Sequence, residues 1–468
     1  MSKKCTFVCL LMGLFFIPII VSQTAPGQTP SMTLYQSTHY EVEADASLSG
    51  TDVEAMVHQL EANYTLFSEM FTSAAQRPEE LLHVKIYADK ESFNQALTEQ
   101  RVYNRNNYIY LYYGDPAQNV LMIYPIENEN EERAQLARHS FFSYAFDSIP
   151  TLPAWLREGL ALYYESLIYE EDGKAIVPYN HLYMDDLKKA VAEGPLNLKD
   201  LMMLTDEDGK FEKNQFEKNL LYSWGIVNYL MFSDNEADRG IIEQAVALAT
   251  KENTQEQNSQ AIMDFIFSQK PGLETDFTNF LDSQMGYVEM LDAMRTAYAE
   301  KEFDRAKSYA ESAAQAHPEA YVPVYYLGLI AFENKDYEMA KQQYNKALDL
   351  GAPKALIDFV MGYVYYYGDQ NYSEATAAFQ RAKAEDATRY GQKVDMLLKN
   401  LQQDSQSPYG SSEENNPSNN NETAAQANSN PAESTATTAN SGSPAAESTA
   451  TQPQAAAETN QGENTAVE

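Results

Sequence analysis

"LPAWLREGLALYYE", residues 152–165, closely follows "RHSFFSYAF", residues 138–146, and this pair governs how the first half of the chain is read. Both belong to helices, the earlier within "EERAQLARHSFFSYAFD" and the later within "LPAWLREGLALYYESLIY". On their N-terminal side the pattern is mixed. "TDVEAMVHQLEANYTLFSEMF" places apolar residues at helical spacing, "LLHVKIYAD" alternates as a strand does, and "KESFNQAL" turns helical again. "NYIYLYYGD" and "QNVLMIYPI" are β-rich runs with a turn between them, which predicts a hairpin. On the C-terminal side helices alone are expected, in "NHLYMDDLKKAVA", "NQFEKNLLYSWGIVNYLMF" and "SQAIMDFIFSQ". A small sheet followed by a helical half makes an α+β domain over residues 35–286.

The chain has 468 residues, enough for two or three domains, and its 44% hydrophobic content can supply their cores. A formal net charge of −35 argues against nucleic acid as a partner, because phosphate recognition needs basic patches. It also disfavours adhesion to anionic lipid. The N-terminus "MSKKCTFVCLLMGLFFIPIIVSQTAPGQ" sets two lysines before an apolar run from Phe7 to Val21, the layout of a signal peptide over residues 1–23, with a linker over 24–34. That run is shorter than the about 20 apolar residues of a membrane span, and Pro18 interrupts it. An uncleaved anchor is the alternative. Cys5 and Cys9 both lie in this segment, so the mature chain would carry no disulfide. The expectation is an exported protein, periplasmic or secreted, with no stable membrane insertion after cleavage. Residues 403–468 are acidic and almost free of large apolar side chains, the composition of a disordered tail.

Between these parts the sequence repeats itself. Gly328 and Gly362 stand 34 residues apart, as do Ala306 and Ala340, Phe303 and Tyr337, and Ala313 and Ala347. A third copy, "YSEATAAFQRAKAED", arrives with one extra residue near Gly368–Asp369. Small residues at this period let paired helices approach, Gly328 with Ala340 and Gly362 with Ala375. Residues 287–402 resemble a tetratricopeptide repeat array of three repeats, closed by a capping helix in "TRYGQKVDMLLKNLQQ".

The order of elements in the first half, with "LPAWLREGLALYYE" as its most specific piece, resembles the gluzincin (MA-like) peptidase domain of exported bacterial proteins. The resemblance implies a His-Glu-x-x-His helix, a following helix whose Glu is the third zinc ligand, and a later helix matched by "NLLYSWGIVNYL" with Tyr222 and Ser223. It places Glu158 at the third-ligand position. On the first helix it places His139 at the first ligand, Ser140 where the general base belongs and Ser143 at the second ligand. Two histidines at i and i+4 and an intervening Glu are what such a metal site needs. A serine hydroxyl is a weak ligand, and Ser140 cannot serve as general base near neutral pH. His39, His58, His83, His181 and His317 stand singly.

The expectation is therefore an inactive peptidase-like domain, with no catalytic residue, no bound zinc and no other cofactor. His139 and Glu158 would then hydrogen-bond each other and tie two helices, so that Glu158→Gln costs stability and not activity. An active zinc metallopeptidase with a replacement ligand is the alternative. In the repeats, the first helix of each pair would line a groove through Val322, Tyr325, Leu329 and Phe332, then Leu356, Phe359, Tyr363 and Tyr366. Val288, Leu291, Arg295 and Tyr298 would come from the first repeat. This apolar, aromatic surface suits a protein or peptide ligand. Packing of the same face within the chain is the competing reading.

Overall fold

The structure is a computed structural model that describes residues 31–73, 76–179, 181, 183–194, 196–206, 215–233, 235–406 and 450–451. The signal-peptide reading, most of the linker and nearly all of the tail lie outside the described residues. The chain divides into two compact units. Of the described residues, those within 31–179 and 190–281 with 450–451 form the first, and those within 181–189 and 282–406 form the second.

The first unit is mixed α/β. Its main sheet contains β1 (Met32–Gln36), β2 (Tyr40–Asp45), β3 (Leu82–Ile86), β4 (Ile109–Leu111) and β5 (Val120–Ile123) in the order β1-β2-β3-β5-β4. The predicted hairpin forms: β4 runs antiparallel to β5 with Tyr110 opposite Leu121. The other pairings give a mixed sheet, β1 antiparallel to β2, and β2, β3 and β5 mutually parallel where they touch. Alternation sets the faces of β2 and β3: Tyr40, Val42, Ala44, Leu82, Val84 and Ile86 are buried. Residues 32–34, read as linker, belong to β1. From the tail, Ala450 and Thr451 pair in parallel with Tyr110 and Leu111.

Helix α1 (Gly50–Met70) begins at Ser49, whose hydroxyl accepts the Asp52 N–H, and buries Val53, Val57, Leu60, Tyr64 and Phe67 along one stripe. After α2 (Lys90–Glu99), α3 (Glu129–Ser148) opens with Asn128 as cap and three glutamates in its first turn, a favourable match to the helix dipole. From Leu136 to Phe146 every residue of α3 is buried, and so is all of α4 (Ala154–Tyr164). These are interior helices. The expectation of helices alone beyond this point is corrected by a small hairpin, β6 (Ile168–Tyr169) with β7 (Ala175–Ile176). Its cause is the Asp172-Gly173 turn, where Gly173 takes a φ of +82°. Then follow α5 (Met184–Ala192), α6 (Leu198–Met202), α7 (Phe216–Phe232), α8 (Glu236–Arg239), α9 (Ile241–Leu248), α10 (Gln255–Gln269) and α11 (Leu273–Ser283).

The second unit is a repeat-like helical array: α12 (Tyr287–Ala299), α13 (Phe303–Ala316), α14 (Tyr321–Glu333), α15 (Tyr337–Asp349), α16 (Lys354–Tyr363), α17 (Tyr372–Glu385) and α18 (Ala387–Gln406). Asp185 secures its start by accepting the Tyr287 N–H at 2.7 Å, a contact with no local sequence signal. The small residues act as expected, with a change of partner. A Cβ on Gly328 would sit 2.5 Å from the Tyr344 ring, and one on Gly362 would sit 2.5 Å from the Phe379 ring. Each glycine thus seats an aromatic one turn beyond the alanine to which it was assigned. The extra residue of the third copy has a structural counterpart, a π-helical turn over Val364–Gly368 that continues α16. Among the described residues, no helix is long and apolar enough to cross a membrane.

Candidate functional site

The positions singled out by the first-half resemblance lie in the interior of the first unit. Helices α4 and α7 cross closely there, because Gly159 leaves no side chain; a Cβ at that position would be 2.6 Å from the Ser223 carbonyl oxygen. His139, Ser140 and Ser143 are buried on α3, as are Tyr222 and Ser223 on α7. Ser140 accepts from Asn63 Nδ2 at 3.2 Å and donates to the Ala137 carbonyl at 3.2 Å, so its hydroxyl is committed to structure. His139 Nδ1, Ser143 Oγ and Ser223 Oγ make no hydrogen bond. The His139 ring lies edge-on to Tyr108 and Phe142, at 6.3 and 6.0 Å. Burial, then the charges of Arg138 and Arg105, hold its imidazole well below the ordinary histidine range.

Glu158, 6% exposed, has a different partner from the one expected. No hydrogen bond joins it to His139; Arg157 Nη2 donates to its Oε1 at 3.2 Å. The same guanidinium donates to both oxygens of Asp206, at 2.7 and 2.9 Å, and stacks 4.5 Å above the Phe146 ring. Gln255 completes the cluster, donating to Asp206 at 2.7 Å and to the Leu152 carbonyl at 3.0 Å. Burial alone would pull Arg157 down, but Asp206 and Glu158 outweigh it and hold the guanidinium above its ordinary range. Burial also opposes ionisation of Asp206, and Arg157 overcomes it, holding that carboxyl below its ordinary range. For Glu158 burial wins, and its carboxyl is held up despite Arg157 and Arg138. A second buried pair, Arg138 with Glu165 at 2.7 Å, flanks the cluster.

This donor set does not fit a zinc ion. Glu158 is engaged by a fixed cation, Ser140 is engaged by Asn63, and among the described residues no three His, Cys, Asp or Glu side chains converge on one point. Arg157, Asp206 and Gln255 are the residues that sequence reasoning missed. The signal available was the Arg beside Glu158, a charge on a helix otherwise apolar.

The groove positions of the array need correction. Tyr325, Leu329, Phe332 and Phe359 are 2, 5, 9 and 2% exposed, and Leu291, Tyr298 and Leu356 are buried as well. They are covered from within the array. Tyr325 meets Tyr344 at 6.0 Å, Phe332 meets Tyr363 at 6.4 Å, and Phe359 meets Tyr390 at 4.7 Å. Each first helix is overlain by its own second helix and by the next pair, so the residues chosen as a groove are core. Val322, Arg295, Tyr363 and Tyr366 are half-buried, and only Val288, at 58%, is well exposed. No protein-family model matches this chain, and no curated protein matches it.

Proposed function

We propose that this is an exported binding or scaffold protein in which a gluzincin-like domain without catalytic activity accompanies a tetratricopeptide-type array that takes a protein or peptide ligand. The observation that carries the reading is the Arg157 guanidinium, held between Glu158 and Asp206 where hydrolysis would require a metal-bound water. A fixed side-chain cation balances buried carboxylates but cannot lower the pKa of a water by coordinating it. Ser140, tied to Asn63 and Ala137, supplies no general base. On the array, the half-buried Val322, Arg295, Tyr363 and Tyr366 with exposed Val288 are the positions left for a ligand. Export follows from the N-terminal charge and apolar pattern alone.

The deciding experiment measures zinc content and peptide hydrolysis of the purified chain and of Glu158→Ala. No zinc and no hydrolysis in either protein supports the reading. Stoichiometric zinc with hydrolysis, both lost in the variant, would establish the metallopeptidase alternative.

A further inference from the structure

A crevice of about 220 Å³ opens on the first unit at the C-terminal end of α3, two turns beyond His139. Its walls come from Glu79, Glu80, Tyr112, Asn119, Asp147, Ser148 and Lys251, with Pro78, Pro116 and Pro150 as stiff borders. Tyr112 and Phe146 form an aromatic side, their rings 5.0 Å apart. At the base, Asp147 Oδ1 accepts from Tyr110 Oη at 2.8 Å and from Asn119 Nδ2 at 2.6 Å. Both donors are uncharged, and no described residue donates to Oδ2. The one ammonium of the lining, Lys251, is already paired with Glu79. Ser148 is buried, with its Oγ beside the Tyr144 hydroxyl as partner.

From this arrangement we propose that the crevice is a binding site for an organic cation, an ammonium or guanidinium head carried on an apolar stem. Asp147 is oriented by two neutral donors with one oxygen open. Burial and the neighbouring Glu80 oppose its ionisation, with His83 as the one charge in its favour. Glu80 adds a second, exposed carboxylate at the rim, so a bound cation would relieve both. The aromatic wall suits a cation with hydrocarbon attached. A bare metal ion is a poorer match, because no three oxygen, nitrogen or sulfur ligands of the acidic and histidine type converge there. The head can come from a free amine or from a lysine or arginine side chain of a partner.

Calorimetric titration of the full chain tests this with agmatine and with acetyl-Ala-Lys-Ala-amide, each against a neutral control, pentanol and acetyl-Ala-Gln-Ala-amide. Both cations are expected to bind with Kd near or below about 1 mM, and the controls about tenfold more weakly. Asp147→Asn keeps the oxygen that accepts from Tyr110 and Asn119 while removing the charge. It should weaken binding about tenfold at an unchanged Tm. Glu80→Gln, on the exposed rim, should weaken it about threefold, and carries the decision if Asp147→Asn does not fold. Equal affinity for the two cations assigns the site to free amines, and tighter binding of the peptide assigns it to a partner's side chain. Controls that bind as well as the cations, cations that fail to bind at about 20 mM, or a folded Asp147→Asn that binds like the parent would each overturn the proposal.

Discussion

Arg157 and Glu158 are neighbours in sequence with opposite expected sensitivities. Removing one partner of a buried ion pair strands the other charge, which typically costs about 3–5 kcal/mol. Arg157→Met leaves buried Glu158 without its donor, but Glu158 can take up a proton, and the Asp206 side chain is 42% exposed and can recover water. A loss near the lower end, about 3 kcal/mol, is expected by urea unfolding. Glu158→Gln keeps an oxygen for Arg157 and removes a carboxyl that burial already disfavours as an anion. Its effect should stay within about 1 kcal/mol. That revises the cost expected from the His139 pairing, and a loss as large as that of Arg157→Met would show the assignment of roles to be wrong. The pH dependence has a definite sign. The Glu158 carboxyl is held above its ordinary range, so it contributes stability at low pH that is lost as pH rises through its raised value. On acidification from neutral pH the parent should therefore gain Tm relative to Glu158→Gln. A gap that moves the other way would mean Glu158 is stabilised as an anion.

The helical array shows at the element scale what a repeat pattern discloses and what it conceals. Gly328 and Gly362 recur because each lies against an aromatic ring, a requirement that acts at one position per repeat and is therefore visible as spacing. The buried side of the first helices is not visible in this way. In α14 Pro323, Val324, Tyr325, Tyr326 and residues 328–332 are all buried, so apolar residues surround the axis and no stripe marks which face meets solvent. That is why Tyr325, Leu329 and Phe332 read as groove. The extra residue before the third copy was legible, but its form as a π turn was not, since an insertion can equally loop out. Two substitutions test these points. Gly362→Ala should cost about 1–3 kcal/mol by overpacking against Phe379, with partial recovery in Gly362→Ala/Phe379→Leu. Deleting Tyr366 from the π turn should leave the array folded by far-ultraviolet circular dichroism, because a regular helix then spans the same elements. Deleting Ala347 from α15, a regular helix with that residue buried, should not. Equal damage from the two deletions would show that the turn is not an absorbed insertion.

At the scale of the whole chain, local pattern located β3, the β4–β5 hairpin and the helical half, because strand alternation and helical spacing act between near neighbours, but it left β1 and β2 unassigned. Contacts that depend on distant residues were out of reach: Asp206 and Gln255 gather around Arg157 from other segments, and Asp185 reaches the start of α12. The same global view governs how metal content must be measured. With 68 acidic against 33 basic side chains, the chain attracts divalent cations over its whole surface without needing a site. Such loosely held ions are screened by salt, since the Debye length falls to about 3 Å at 1 M. Ions held by several inner ligands are not. Zinc retained after dialysis at low ionic strength is therefore expected to be variable, equal in the parent and Glu158→Ala, and removed by washing in about 1 M sodium chloride. One zinc per chain that survives this wash in the parent and is absent from Glu158→Ala could not be surface charge. It would require that Arg157 leave Glu158 on metal binding, and the reading of the domain as inactive would fall with it.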